Sequence, residues 1–243
     1  MSPFVYADTA SSRAGIEAVS QRLAGGTVAI VGLGGTGSVV LDLLAKTPVE
    51  RLLLIDGDRL EAHNAFRWPG AVALADIDAA PFKVEYFAST YGRLHRGIVV
   101  HPVHLAADTL TLLDEADFVF VCVDSVAVRA WLIPELESRE LPFIDCGLGL
   151  SLSDDRLAGL VRVTTSTPTM RTHVHANHRI PASGTDDDDL YRSNIQVADL
   201  NMLAGTLAVI QYKQLRGFYA DGEGEYHCVY TVDGNHLVNE DRA

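Results

Sequence analysis

The residues in this chain best suited to chemistry are a set of glycines followed by a scatter of acids, cations and one amide. Gly32, Gly34 and Gly37 form G-x-G-x-x-G, with Gly35 at one of its open positions, directly after the apolar run Val28-Ala29-Ile30-Val31. Such a loop wraps a nucleotide phosphate, because glycines permit the tight turn and close backbone approach while the following helix aims unpaired N–H groups at negative charge. By itself that spacing favours a dinucleotide, as in an NAD- or FAD-dependent oxidoreductase. Asp56, at the end of the next apolar run, fits either ligand, since a carboxylate there can accept hydrogen bonds from ribose hydroxyls.

The polar residues beyond Asp56 shift the expected ligand. Asp58, Asn64, Arg67 and Lys83 fall in stretches that return toward the same edge of a sheet. Their cationic and amide donors exceed what a pyrophosphate diester needs, whereas a triphosphate losing pyrophosphate requires them. Asp124 closes the run Phe118-Val119-Phe120-Val121-Cys122-Val123, where a carboxylate can share magnesium with phosphate oxygens. For Arg67 and Lys83 the ordinary alternative is a surface salt bridge. Arg129 has two possible partners, Asp124 or a more distant acid.

These residues require a sheet to hold them. Apolar runs at 27–31, 51–55, 98–103, 118–123 and 141–146 read as parallel strands, with helices expected after the glycine loop to about 45, at 80–94, near 108–116 and at 126–139. Beyond Gly147 a strand is expected at 157–166, then a long loop at 167–192, a helix at 194–215 and a hairpin of strands at 226–232 and 236–239 turning at Asp233-Gly234-Asn235. The expected fold is α/β: a Rossmann-like, mostly parallel sheet with helices on both faces and an antiparallel C-terminal extension. Residues 1–26 form a helical arm, helix 11–24 included, and 27–243 a single domain.

Composition narrows the partners. The 243 residues carry 32 acidic against 19 basic side chains, a formal charge of -13, with no basic stretch to track a phosphate backbone, so nucleic acid is not expected. Neither a signal peptide nor a membrane-length apolar run is seen, and the expected location is cytoplasmic. Cys122, Cys146 and Cys228 form no C-x-x-C and are expected to be reduced. His173, His175 and His178 lie close together but read as loop residues.

In order and spacing, Val28 to Gly37, Ile55-Asp56-Gly57-Asp58, His63-Asn64-Ala65-Phe66-Arg67, Lys83 and Val121 to Arg129 resemble the ThiF/MoeB/HesA family, which includes the ubiquitin-activating enzymes. The resemblance spans roughly residues 15 to 240. It implies an adenylyltransferase that uses ATP and magnesium to activate the C-terminal carboxylate of a small ubiquitin-like or sulfur-carrier protein. It further implies Gly34 and Gly35 against the phosphates, Asp56 on the ribose, and Asn64, Arg67 and Lys83 on the phosphates. Asp124 then serves magnesium and the reacting centre. The family usually dimerises, so a homodimer is expected, and in many members an arginine from an N-terminal helix reaches the partner's nucleotide, for which Arg13 is the nearest candidate. The loop 167–192 corresponds to a crossover loop over the carrier's tail, with Asn194 and Gln196 beside it and Asp186 to Asp189 solvating it or meeting a basic partner. Two departures stand out: the paired C-x-x-C zinc motifs of many members are absent, and no cysteine stands at the usual thioester position. Cys146 is expected to pack in the sheet.

Overall fold

The computed structural model describes residues 2–181 and 195–242. Along the chain run α1 (Thr9–Ala14), α2 (Glu17–Ser20), β1 (Thr27–Val31), α3 (Gly35–Leu44), β2 (Arg51–Ile55), α4 (Ala62–Ala65), α5 (Leu74–Ala79) and α6 (Lys83–Tyr91). There follow β3 (Ile98–His101), β4 (Phe118–Val121), α7 (Val126–Ser138), β5 (Phe143–Ser153), β6 (Arg156–Ser166), α8 (Thr172–Ala176), α9 (Ala198–Leu215), β7 (Glu225–Thr231) and β8 (His236–Arg242).

The strands make one sheet in the order β3-β2-β1-β4-β5-β6-β7-β8. Pairings from β3 through β5 are parallel, and those from β5 through β8 are antiparallel. The β1 strand is buried along its whole length, as an inner parallel strand covered on both faces must be. Alternate residues feed two cores: Val28, Ile30, Phe118 and Phe120 join α3, α6 and α9 on one face. Ala29, Val31, Val119 and Val121 join α7 and the 3-10 turn Leu110–Leu113 on the other. The chain order reverses between β1 and β4, so the crevice at their carboxyl ends is where an open α/β sheet binds ligands.

Four local expectations are corrected. The helix at 11–24 is broken, because Asp8 caps α1 and Gly15 ends it in the left-handed region at φ 67°. Near 108–116 only the 3-10 turn forms. Strand β5 runs on to Ser153: Gly147 and Gly149 hide a period-two pattern in which Leu148, Leu150 and Leu152 share one face, and it hairpins into β6 through Asp154 and Asp155, both at positive φ. The expected loop at 167–192 contains α8. Asp186 to Asp189 and Asn194 lie outside the described residues, and α9 begins at Ala198.

Candidate functional site

A cavity of about 440 Å³ opens at the carboxyl ends of β1, β2 and β4, a size within the range of small-molecule sites. Its floor is the glycine loop. Gly32 adopts φ 88°, and a Cβ there would lie 2.7 Å from the Cys122 carbonyl oxygen, so residue 32 must be glycine on both counts. A Cβ on Gly34 would meet nothing within 4 Å, and no side chain caps the amino end of α3. That end therefore offers partial positive charge to the cavity. Gly37 serves packing instead: its absent side chain lets α3 sit on the turn, where a Cβ would be 1.9 Å from the Gly32 carbonyl oxygen.

Asp56 lies at the rim and is buried. Its carboxylate accepts Leu33 N–H at 2.6 Å and Asp58 N–H at 2.8 Å, which ties the glycine loop to the end of β2. Lys83 opens α6 and donates to Asp58 at 2.6 Å, with His104 Nε2 3.6 Å from the other Asp58 oxygen. Lys83 and Asp58 thus enter the cavity as a pair whose acid is about half exposed.

Arg67 also reaches the cavity, and its Nε is buried without a hydrogen-bond partner among the described residues. Burial lowers its pKa, and the charge of Asp124 offsets part of that shift. Asp124 follows β4, is exposed, and lines the same cavity.

The expected set does not assemble whole. Gly32, Gly34, Gly35, Asp56, Asp58, Arg67, Lys83 and Asp124 meet at the cavity, whereas Gly37, Asn64 and Arg13 do not line it. Asn64 is fully buried and accepts Glu61 N–H at 2.9 Å, while its carbonyl accepts Arg67 N–H at 2.9 Å. It shapes the turn that presents Arg67. Arg13 is exposed on α1.

Asp145 and Asn201 were not singled out from sequence; Asp145 does not line the cavity itself but holds Arg129, which does. Asp145, wholly buried on β5, accepts Arg129 Nε at 2.8 Å and Arg162 Nη2 at 2.6 Å, so the distant acid is Arg129's partner. The same guanidinium donates to the carbonyls of Cys146 at 2.9 Å and Asp124 at 3.3 Å, pinning the end of β4 to β5. An acid and a cation inside the apolar runs Phe143-Ile144-Asp145 and Val161-Arg162-Val163 were the available signal, since charges there need partners. Asn201, on the first turn of α9, also lines the cavity.

Cys146 lies against Cys122, and that neighbouring thiol together with burial pushes its pKa well above the ordinary value, which suits a packed thiol. Burial likewise pushes Cys228 up to about 12. Among the described residues no group of three or more His, Cys, Asp or Glu side chains is placed to hold a metal ion, the histidines at 173, 175 and 178 included. No helix of the described residues is long and apolar enough to cross a membrane.

The ThiF family pattern matches residues 8–227. The chain is 27% identical over 221 residues to ubiquitin-like modifier-activating enzyme 5 of Branchiostoma floridae, covering 82% of this chain and 51% of that protein. It is 32% identical over 120 residues to the molybdopterin-synthase adenylyltransferase of Escherichia coli K12, covering 48% of this chain and 47% of that one. The chain thus spans about half the length of these curated relatives. E. coli MccB, solved with ATP, shares the fold with a TM-score of 0.69 at 19% identity, over 98% of this chain and 73% of that one.

Proposed function

The chain belongs to the ThiF family, and on that premise we propose that it is an ATP- and magnesium-dependent adenylyltransferase. Its substrate is the C-terminal carboxylate of a small ubiquitin-like or sulfur-carrier protein, which leaves as an acyl-adenylate while pyrophosphate is released. The observation that carries this assignment is Arg67: a buried Nε with no protein acceptor among the described residues, in a cavity floored by an uncapped helix end. A half-buried guanidinium with one buried, unpaired N–H in such a cavity suits an anion, and a triphosphate is one.

The attack requires little covalent chemistry from the chain. A carboxylate is already ionised near neutral pH, so no general base is required. What the residues supply is position and charge. Gly34 and Gly35 offer backbone N–H groups to the phosphates, Arg67 neutralises charge developing at the α-phosphorus, and Lys83 turns from Asp58 toward the phosphate oxygens. Asp56, already holding the loop, has lone pairs left for the ribose. Asp124 would hold the magnesium ion, which would supply Lewis-acid charge to the phosphates. Asn64 acts through the turn beneath Arg67. Arg13, exposed on α1, would serve only across a homodimer.

Support comes from the names of the relatives, which are an adenylyltransferase and a ubiquitin-like modifier-activating enzyme, and from the fold shared with an ATP-bound protein. The test is exchange of labelled pyrophosphate into ATP, dependent on magnesium and a glycine-tailed carrier protein and lost in Arg67→Ala and Asp124→Asn. A wild-type protein that binds NADH in preference to ATP would overturn the assignment.

A further inference from the structure

We propose that Asn201 is a positioning residue for the triphosphate: it sets the glycine loop from the far end of the sequence. The proposal rests on reading the cavity as an ATP site. Asn201 is 1% exposed, yet it lines the cavity. Its Oδ1 accepts the Thr36 hydroxyl at 3.0 Å, and its Nδ2 donates to the Val197 carbonyl at 2.9 Å. A Cβ on Gly35 would lie 2.4 Å from Asn201 Cγ, so the carboxamide occupies the space that any larger residue at 35 would take. The next contact down the helix is also close, since a Cβ on Gly205 would lie 2.7 Å from Val39 Cβ in α3.

These contacts join three parts of the cavity through one side chain. Thr36 belongs to the glycine-loop floor, Val197 precedes α9, and the adjoining Ile195 and Gln196 also line the cavity. A carboxamide suits both bonds, because its oxygen accepts and its amino group donates. Where phosphate-binding amides point depends on the backbone of residues 34 to 37, and tenths of an ångström matter for charged hydrogen bonds. A side chain that fixes Thr36 and seats Gly35 therefore acts on the phosphates without touching them. The nucleoside end of the ligand, near Asp56, is not reached by these contacts.

The experiment compares binding of magnesium ATP and of adenosine to the wild-type protein and to variants, with thermal unfolding of each. Asn201→Ala is expected to weaken ATP about tenfold and leave adenosine unchanged. Asn201→Asp should lose more ATP affinity, because its second oxygen opposes the Val197 carbonyl and adds negative charge beside the phosphates. Thr36→Val keeps the shape and removes the hydroxyl, so it should show the same selective loss of ATP in a protein that remains folded, with some loss of thermal stability from the unpaired Asn201 Oδ1. Gly35→Ala should impair ATP binding, and Gly35→Ala combined with Asn201→Ala should recover part of it. Equal loss of ATP and adenosine, or no loss of either with ATP bound normally by the wild type, overturns this role alone. A wild-type protein that binds no ATP overturns the adenylation reading and this role with it.

Discussion

Replacing Asp145 by alanine should bring the protein to the edge of unfolding. The carboxylate is 0% exposed and is shared by Arg129 and Arg162, themselves 3% and 5% exposed, at 2.8 and 2.6 Å. Removing it leaves two buried guanidinium groups without the carboxylate they share. Breaking one buried ion pair costs about 3–5 kcal/mol, out of about 5–15 kcal/mol for a whole domain. With two cations affected, the loss should lie at about 5 kcal/mol or somewhat above, the top of the range for one pair. Asp145→Asn should lose less, since one acceptor oxygen survives while the amide hydrogens face one arginine. Burial alone would raise the Asp145 pKa, but the charges of Arg129 and Arg162 and their hydrogen bonds outweigh it and hold the carboxyl below its usual value. A depressed folded pKa means that the contribution is present above the unfolded value of about 3.9 and is lost as pH falls through the folded value. Urea unfolding followed by circular dichroism at pH 7 and at pH 3 measures both effects. A loss below about 1 kcal/mol in Asp145→Ala at pH 7 would refute the reasoning, since that is the range of a solvent-exposed pair.

Three further outcomes are expected. Arg67→Ala should slow pyrophosphate exchange by roughly 10²–10³, the usual effect of removing one preorganised charge or donor at a developing anion; an unchanged rate would take Arg67 out of the chemistry. Asn64→Ala should cost about 1 kcal/mol in urea unfolding, because it removes the side-chain acceptor of the Glu61 N–H that starts α4. Burial, with the charges of Arg179 and Arg162, holds the His227 pKa down to about 4, so the unfolded chain binds the extra proton between about 4 and about 6.5. Stability should therefore fall as pH drops through that window, and His227→Phe should flatten that part of the profile.

Strands β1 and β2 have the bounds that their apolar runs predict, and the glycine spacing marks the floor of the cavity. Both are local properties: a run of apolar side chains needs burial wherever it goes, and a left-handed turn needs glycine whatever packs above it. The order of the motifs likewise carries the family, because spacing along the chain survives without knowledge of contacts. Asn64 shows the limit even at short range. Its place three residues after Glu61 is the spacing of a helix-start hydrogen bond, but an amide beside two cations reads equally as a phosphate ligand.

What the tertiary structure decided were the partnerships across the sheet. Asp145 meets Arg162 because β5 continues through Gly147 and Gly149 into a hairpin with β6, a register that periodicity does not reveal. Lys83 is paired with Asp58, 25 positions away, and Asn201 meets the glycine loop from 165 positions beyond Thr36. Residue types restrict what each side chain can do, but whether it spends that capacity on a neighbour or leaves it to a ligand depends on which elements the fold sets side by side. Hence the glycine loop, readable from its own spacing, is held in place by a carboxylate and a carboxamide whose roles only the packed sheet and helix reveal.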